Sequence, residues 1–286
     1  MILHTRALPR PATLALIAAI SLLAIIITRP GEPATRLISR WQPREIVTRP
    51  DVHAGREPAP PPLALTGRVA AVDAFNLSVD DGLYPGQREQ LAADVNAAYG
   101  YVVARFGSGA RGRFTAAFQA ESGCGLHGIA DTEARNVRVF TCSAIDRQRA
   151  INIMAHEIVH QLAQDRYGPA HLNADLILLE GVATWGAGKY WLGDQPDFRG
   201  YVKAQRASGL SYPLATDYTG LGVTAMNALY YQWASFVEYL IKTYGREQFD
   251  RLYVSGNGAP GSADYAGVYG KGLDVLEREW SAWVDR

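Results

Sequence analysis

Residues 156–160 read His-Glu-Ile-Val-His, and that spacing could do metal chemistry. On a helix, positions i and i+4 share one face a turn apart. His156 and His160 can then offer two imidazole nitrogens to one ion with little reorganisation. Glu157 is rotated by about 100° from His156, so it cannot be a ligand at the same point. It can instead approach a water on the ion and take its proton, which is the mechanical sense of the H-E-x-x-H pattern. Three fixed positions of this kind arise by chance in roughly one chain of this length per hundred, so the motif needs a partner. A catalytic zinc takes three protein ligands and leaves its fourth position to water. His171, Asp175 and Glu180 are the downstream candidates for the third ligand. His171 falls in the turn after Gly168-Pro169, and Asp175 at the start of the next helix. Glu180 stands inside Leu-Ile-Leu-Leu-Glu-Gly-Val-Ala-Thr-Trp. There a carboxylate is costly unless it is paired or bound to a metal.

These residues need elements to hold them. Ile151, Met154, Ile158, Val159 and Leu162 recur at offsets of three and four, which predicts a helix. Ser143 and Asp146 are its expected cap, and Gly168-Pro169 its stop. A second helix, from about Asn173 to Trp191, returns against the first and lets Glu180 face His156 and His160. Upstream, the pattern predicts one or two short strands in residues 68–80 and a helix from Pro85 to Phe106. Strands follow in residues 111–120 and 136–143. The glycine-rich stretch 122–131 between them reads as a loop. The expected class is α+β: a small N-terminal mixed sheet with a helix, then a mainly helical C-terminal half.

HEIVH, nineteen residues, then EGVATW resembles the gluzincin zinc peptidases, which include thermolysin and the neutral zinc aminopeptidases. Within that group the chain is most similar to small membrane-anchored or secreted peptidase-MA-like domains. The tract YYQWASFVEYLIKTYG (230–245) and the ending GKGLDVLEREWSAWV add to the likeness, which covers residues 70–284. The resemblance implies a zincin-like catalytic domain that hydrolyses peptide bonds of a peptide or protein substrate. It implies Zn(2+) held by His156, His160 and Glu180, with Glu157 as general base on the zinc-bound water. It also implies an oxyanion-stabilising tyrosine, for which Tyr230 matches and Tyr231 is the runner-up; Trp233 stands where the family has glycine. The sequence departs from its relatives in two further places. No G-A-M-E-N segment holds a substrate amine, and Thr184 replaces the aspartate that follows the ligand glutamate by four. The carboxylate that orients a ligand histidine is therefore either supplied by Asp165 or Asp175 or missing. Two other readings stay open: a catalytically inactive zinc-binding sensor or adaptor domain, and a helical domain without metal.

The 286 residues carry 28 basic and 28 acidic side chains, and this balance gives no sign of a nucleic-acid partner. From Pro11 to Thr28 there is no charged residue, the low end of the roughly 17–25 residues of a membrane span. Residues 1–28 are thus expected to be an N-terminal signal anchor, 29–66 a proline-rich linker, and 67–286 the metallopeptidase domain. Cys124 and Cys142 are the only cysteines. An even pair in an exported chain fits one disulfide, with two buried thiols as the alternative. Basic residues on both flanks of the apolar run do not favour export by the positive-inside rule. Weighing the cysteines and the resemblance above them gives the expectation of a single-pass membrane protein with its catalytic domain outside the cytoplasm.

Overall fold

The computed structural model describes residues 74–286. The expected anchor (1–28), the linker (29–66) and the first residues of the expected domain (67–73) lie outside the described residues. Among the described residues no helix is long and apolar enough to cross a membrane. The expectation of a single-pass membrane protein is therefore corrected: no described helix supports it. A span needs about 20 mainly apolar residues, and the long helices seen here interleave their apolar positions with charged and amide side chains.

Four strands make one mixed sheet: β1 (Phe75–Val79), β2 (Phe114–Ala120), β3 (His127–Asp131) and β4 (Asn136–Thr141). Their order is β1-β2-β4-β3. β1 pairs parallel with β2, and β2 parallel with β4. A parallel neighbour requires a crossover, and α1 (Arg88–Phe106) supplies it between β1 and β2. α1 buries Leu91, Val95, Ala98, Val102 and Phe106 and ends at Gly107 in the left-handed conformation. It starts three residues later than the pattern predicts because the chain turns at Tyr84 and Gly86, both at positive φ.

β3 is the larger departure. It lies in the stretch read as a glycine-rich loop, yet it pairs antiparallel with β4, His127 opposite Phe140 and Ile129 opposite Arg138. The two strands are tied at one end by the Cys124–Cys142 disulfide, whose Cα atoms are 5.0 Å apart. Closing a loop of this size restricts the unfolded chain by about 3 kcal/mol. β3 is the edge of the sheet and therefore presents one side of its backbone away from β4.

The rest is helical: α2 (Arg147–Tyr167), a 3-10 turn (Gly168–Asn173), α3 (Leu176–Ala187), α4 (Lys189–Leu192), α5 (Phe198–Ala207), α6 (Val223–Tyr244), α7 (Arg246–Tyr253), α8 (Tyr265–Tyr269) and α9 (Leu273–Asp285). The architecture is α+β, with a small four-stranded mixed sheet. Asp146 rather than Ser143 caps α2, accepting from the Gln148 amide at 2.8 Å. The second helix does not run on to Trp191; it breaks at Gly188, and α4 turns Trp191 back toward the protein. α2 is buried from Ile153 to Ala163 on every face, so it is a central helix, covered by the sheet on one side and by helices on the other. On α3, a Cβ at Gly181 would lie 2.8 Å from the Trp233 carbonyl oxygen of α6. Only a glycine lets the two backbones approach this closely, and the approach lays α6 directly over Glu180.

Candidate metal centre

α2 and α3 bring His156, His160 and Glu180 together, all nearly inaccessible to solvent. The Nε2 atoms of His156 and His160 are 3.2 Å apart. Glu180 Oε2 lies 3.1 Å from His156 Nε2 and 3.7 Å from His160 Nε2. A tetrahedral ion with bonds of about 2.0–2.2 Å sets its donors about 3.3–3.6 Å apart, close to these separations. The three residues form a buried group that can hold a metal ion. Their chemistry agrees: two imidazoles and one carboxylate, each with a donor atom turned to a common point.

Charge sharpens this arrangement. Burial alone would raise the Glu180 carboxyl, but hydrogen bonds with His156 and His160 outweigh it and hold the group well below the ordinary carboxylate range. Burial lowers the His156 imidazole. For His160 burial acts in the same direction, yet Glu180 and Glu157 reverse it. For Glu157 the His160 charge opposes burial but does not outweigh it. Burial pushes its carboxyl up to about 7, and its Oε2, like the Nδ1 of His160, is buried with no hydrogen-bond partner. Unpaired buried groups are rare and need an explanation. A cation held by the group, with its own bound oxygen, supplies one for Glu157; His160 Nδ1 lies on the side of the ring turned away from the group.

Glu157 is held from the far side by β3. A Cβ at Gly128 would come within 2.7 Å of the Glu157 carboxyl carbon. The glycine is therefore needed for the edge strand to lie against this side chain. Gly128→Ala is expected to leave metal uptake by the His156, His160 and Glu180 group unchanged, because none of the three moves, while displacing the Glu157 carboxylate by about an ångström. Metal uptake and a crystal structure of the variant check this; an unmoved carboxylate would show that Glu157 does not depend on its seat against β3.

The aromatic wall above the ligands comes from α4 and α6. Trp191 lies 5.2 Å from the His156 ring and Tyr230 lies 5.8 Å from it, by ring centroids. Trp191 and Tyr230 stack nearly parallel at 6.0 Å. Burial first, and then the Glu180 charge, keep the Tyr230 phenol well above its usual pKa. Tyr231 points elsewhere: its hydroxyl donates to the Trp191 carbonyl at 2.9 Å and its ring stacks on Tyr201 at 3.9 Å. Of the two adjacent tyrosines, Tyr230 faces the centre. Trp233, standing where the resemblance calls for glycine, is fully buried and donates its indole N–H to the Leu214 carbonyl at 2.8 Å.

Three sequence expectations do not meet the site. His171 shares a 2.9 Å hydrogen bond with the Tyr253 hydroxyl; burial and the nearby His160 hold its imidazole down at about 3. Asp165 is taken by Arg135, at 2.5 and 3.0 Å, and by the Arg111 amide at 2.9 Å. Asp175 caps α3 through the Ile177 amide at 2.9 Å and binds Gly261, Ala263 and the Tyr265 hydroxyl at 2.9–3.0 Å. Neither aspartate orients a ligand histidine. Thr184 Oγ1 lies 3.4 Å from His156 Nδ1. Gly128 and Trp191 escaped the sequence reading. The first was hidden in an apparent loop, and the second was placed on the wrong helix.

No family model matches the chain, and no curated protein matches it.

Proposed function

We propose that this protein is a zinc peptidase of gluzincin type, with a zincin-like fold, acting on peptide or protein substrates. The observation that carries the reading is Glu157, a buried carboxylate with an unpartnered oxygen beside the His156, His160 and Glu180 group. A metal site used only for structure has no need of such a group. His156, His160 and Glu180 would hold the zinc. When bound, zinc acidifies water towards a pKa of about 7 and polarises a carbonyl.

The chain's own residues supply the remaining steps. Glu157 takes a proton from the attacking water as the water oxygen bonds to the carbonyl carbon. The C–N bond then breaks, and the same proton passes from Glu157 to the departing nitrogen. Tyr230 donates its hydroxyl to the carbonyl oxygen as negative charge grows there. Thr184 steadies the His156 ring from behind. No serine or cysteine acts as a nucleophile, so no bond to the protein forms. A peptide suits the surroundings of Glu157: β3 is an edge strand, and an extended chain can add to such an edge through backbone hydrogen bonds.

The test is metal content followed by hydrolysis. Purified protein should hold about one zinc per chain and cleave a mixed peptide library. Cleavage should stop with 1,10-phenanthroline and return with added zinc. Protein loaded with stoichiometric zinc that cleaves no peptide would remove the peptidase reading and favour the sensor or adaptor.

A further inference from the structure

Between α5 and α6 the chain runs from Ser208 to Gly222 across the face that carries Tyr230. Its first half is pinned. Gln232 accepts from the Tyr212 amide at 3.0 Å and donates to the Tyr212 carbonyl at 2.6 Å. Leu214 receives the Trp233 indole N–H, and its own amide donates to Glu277 at 2.8 Å. Beyond Leu214 the hydrogen bonds found among the described residues are local turns, Thr216 to Pro213, Thr219 to Asp217 and Leu221 to Tyr218. Tyr218 is the one buried residue from 215 to 222.

Its ring lies 6.0 Å from Tyr230 and 5.8 Å from Trp233. Its hydroxyl is buried and has no hydrogen-bond partner of normal geometry. Phenylalanine would anchor the strap as well without burying an unpaired hydroxyl, which is a net cost to stability. Apolar packing therefore does not explain the hydroxyl, and its nearest polar neighbour is the Tyr230 hydroxyl of the candidate site. Burial and the Glu180 charge raise its pKa against a hydrogen-bonding contact with Tyr230 that lowers it, so the phenol stays protonated and its hydroxyl sits beside that of Tyr230.

We propose that Tyr218 is a second substrate-binding hydroxyl, donating its O–H to the reacting carbonyl oxygen alongside Tyr230. The proposal rests on the peptidase reading and extends it. Two donors at one developing oxyanion each act where charge appears, which is how such sites lower a barrier. Their origin on separate elements, α6 and the strap, also makes the donor pair complete only while the strap is seated. Movement of residues 215–222 would then both admit substrate and assemble the pair.

The test uses the zinc-loaded full chain and a phosphonamidate dipeptide, whose tetrahedral anion resembles the transition state of amide hydrolysis. Tyr269→Phe is the control. Its hydroxyl is also buried and unpaired, and its ring packs on Tyr244 at 4.6 Å. Both phenylalanine variants should melt at or above the wild-type temperature. Tyr218→Phe alone should bind the phosphonamidate about 10–100-fold more weakly by calorimetry, the loss expected for one hydrogen bond to an anion. Unchanged affinity in Tyr218→Phe would overturn the proposal. A melting temperature well below that of Tyr269→Phe would overturn it too, since the hydroxyl would then be structural. If wild-type protein takes up zinc and does not bind the phosphonamidate, the peptidase reading itself fails, and this inference with it.

Discussion

Glu157→Gln is expected to retain its metal and to lose peptide hydrolysis by about 10²–10⁴-fold, the usual share of a positioned general base. The change keeps the shape and a hydrogen-bonding end, so the seat against Gly128 is undisturbed. It removes only the ability to take a proton. Stability should hold or rise, because the carboxyl it replaces is buried with an unpaired oxygen and is pushed up to about 7 by that burial. The measurement is turnover under single-turnover and steady-state conditions, with zinc quantified on the same sample. A fall in kcat at constant metal content and constant KM would place Glu157 in the chemical step. Undiminished turnover would remove it from the mechanism.

Glu180→Ala is expected to abolish tight metal binding while leaving the fold in place. Loss of a hydrogen bond that merely supports a ligand costs about 10–100-fold in metal affinity, and loss of the ligand itself should exceed that. The readout is thermal. A ligand at about 1,000 times its Kd adds about 4 kcal/mol to the folded state. Zinc should therefore raise the wild-type melting temperature and leave that of the variant nearly unmoved. Glu180→Gln is the companion, since it preserves the volume beside His156 and His160 and removes the negative charge. If either variant shows the wild-type zinc shift, Glu180 is not a ligand. If the wild type shows no shift, the group holds no zinc.

The legible part of the site was the part carried by single helices. His156, Glu157 and His160 are positioned relative to one another by helix geometry alone. The apolar spacing around them announces that helix without reference to anything distant. Glu180 was legible for an energetic reason: a carboxylate set among leucines and a valine needs a partner. The α+β order, sheet first and helices after, followed from the change of period along the chain.

β3 was not legible, because its histidine, glycine and aspartate lack the local preference of a strand; pairing with β4 makes it one. Tyr230 and Tyr231 differ by one position, or about 100° around a helix. Which one faces the ligands depends on how α6 is set down, and that is decided at Gly181. Asp165 and Asp175 looked equally able to support a histidine. Arg135 claims the first, and the turn at 261–265 claims the second. Tyr218 carries no pattern at all; its place beside Tyr230 exists only because Gln232 and Trp233 pin the strap that bears it. The sequence alone determined which atoms could share an ion, since covalent spacing on one helix confines them to one face. Tertiary structure decided which neighbours complete the site, since packing free energy is summed over elements far apart in the chain and no local stretch encodes that sum.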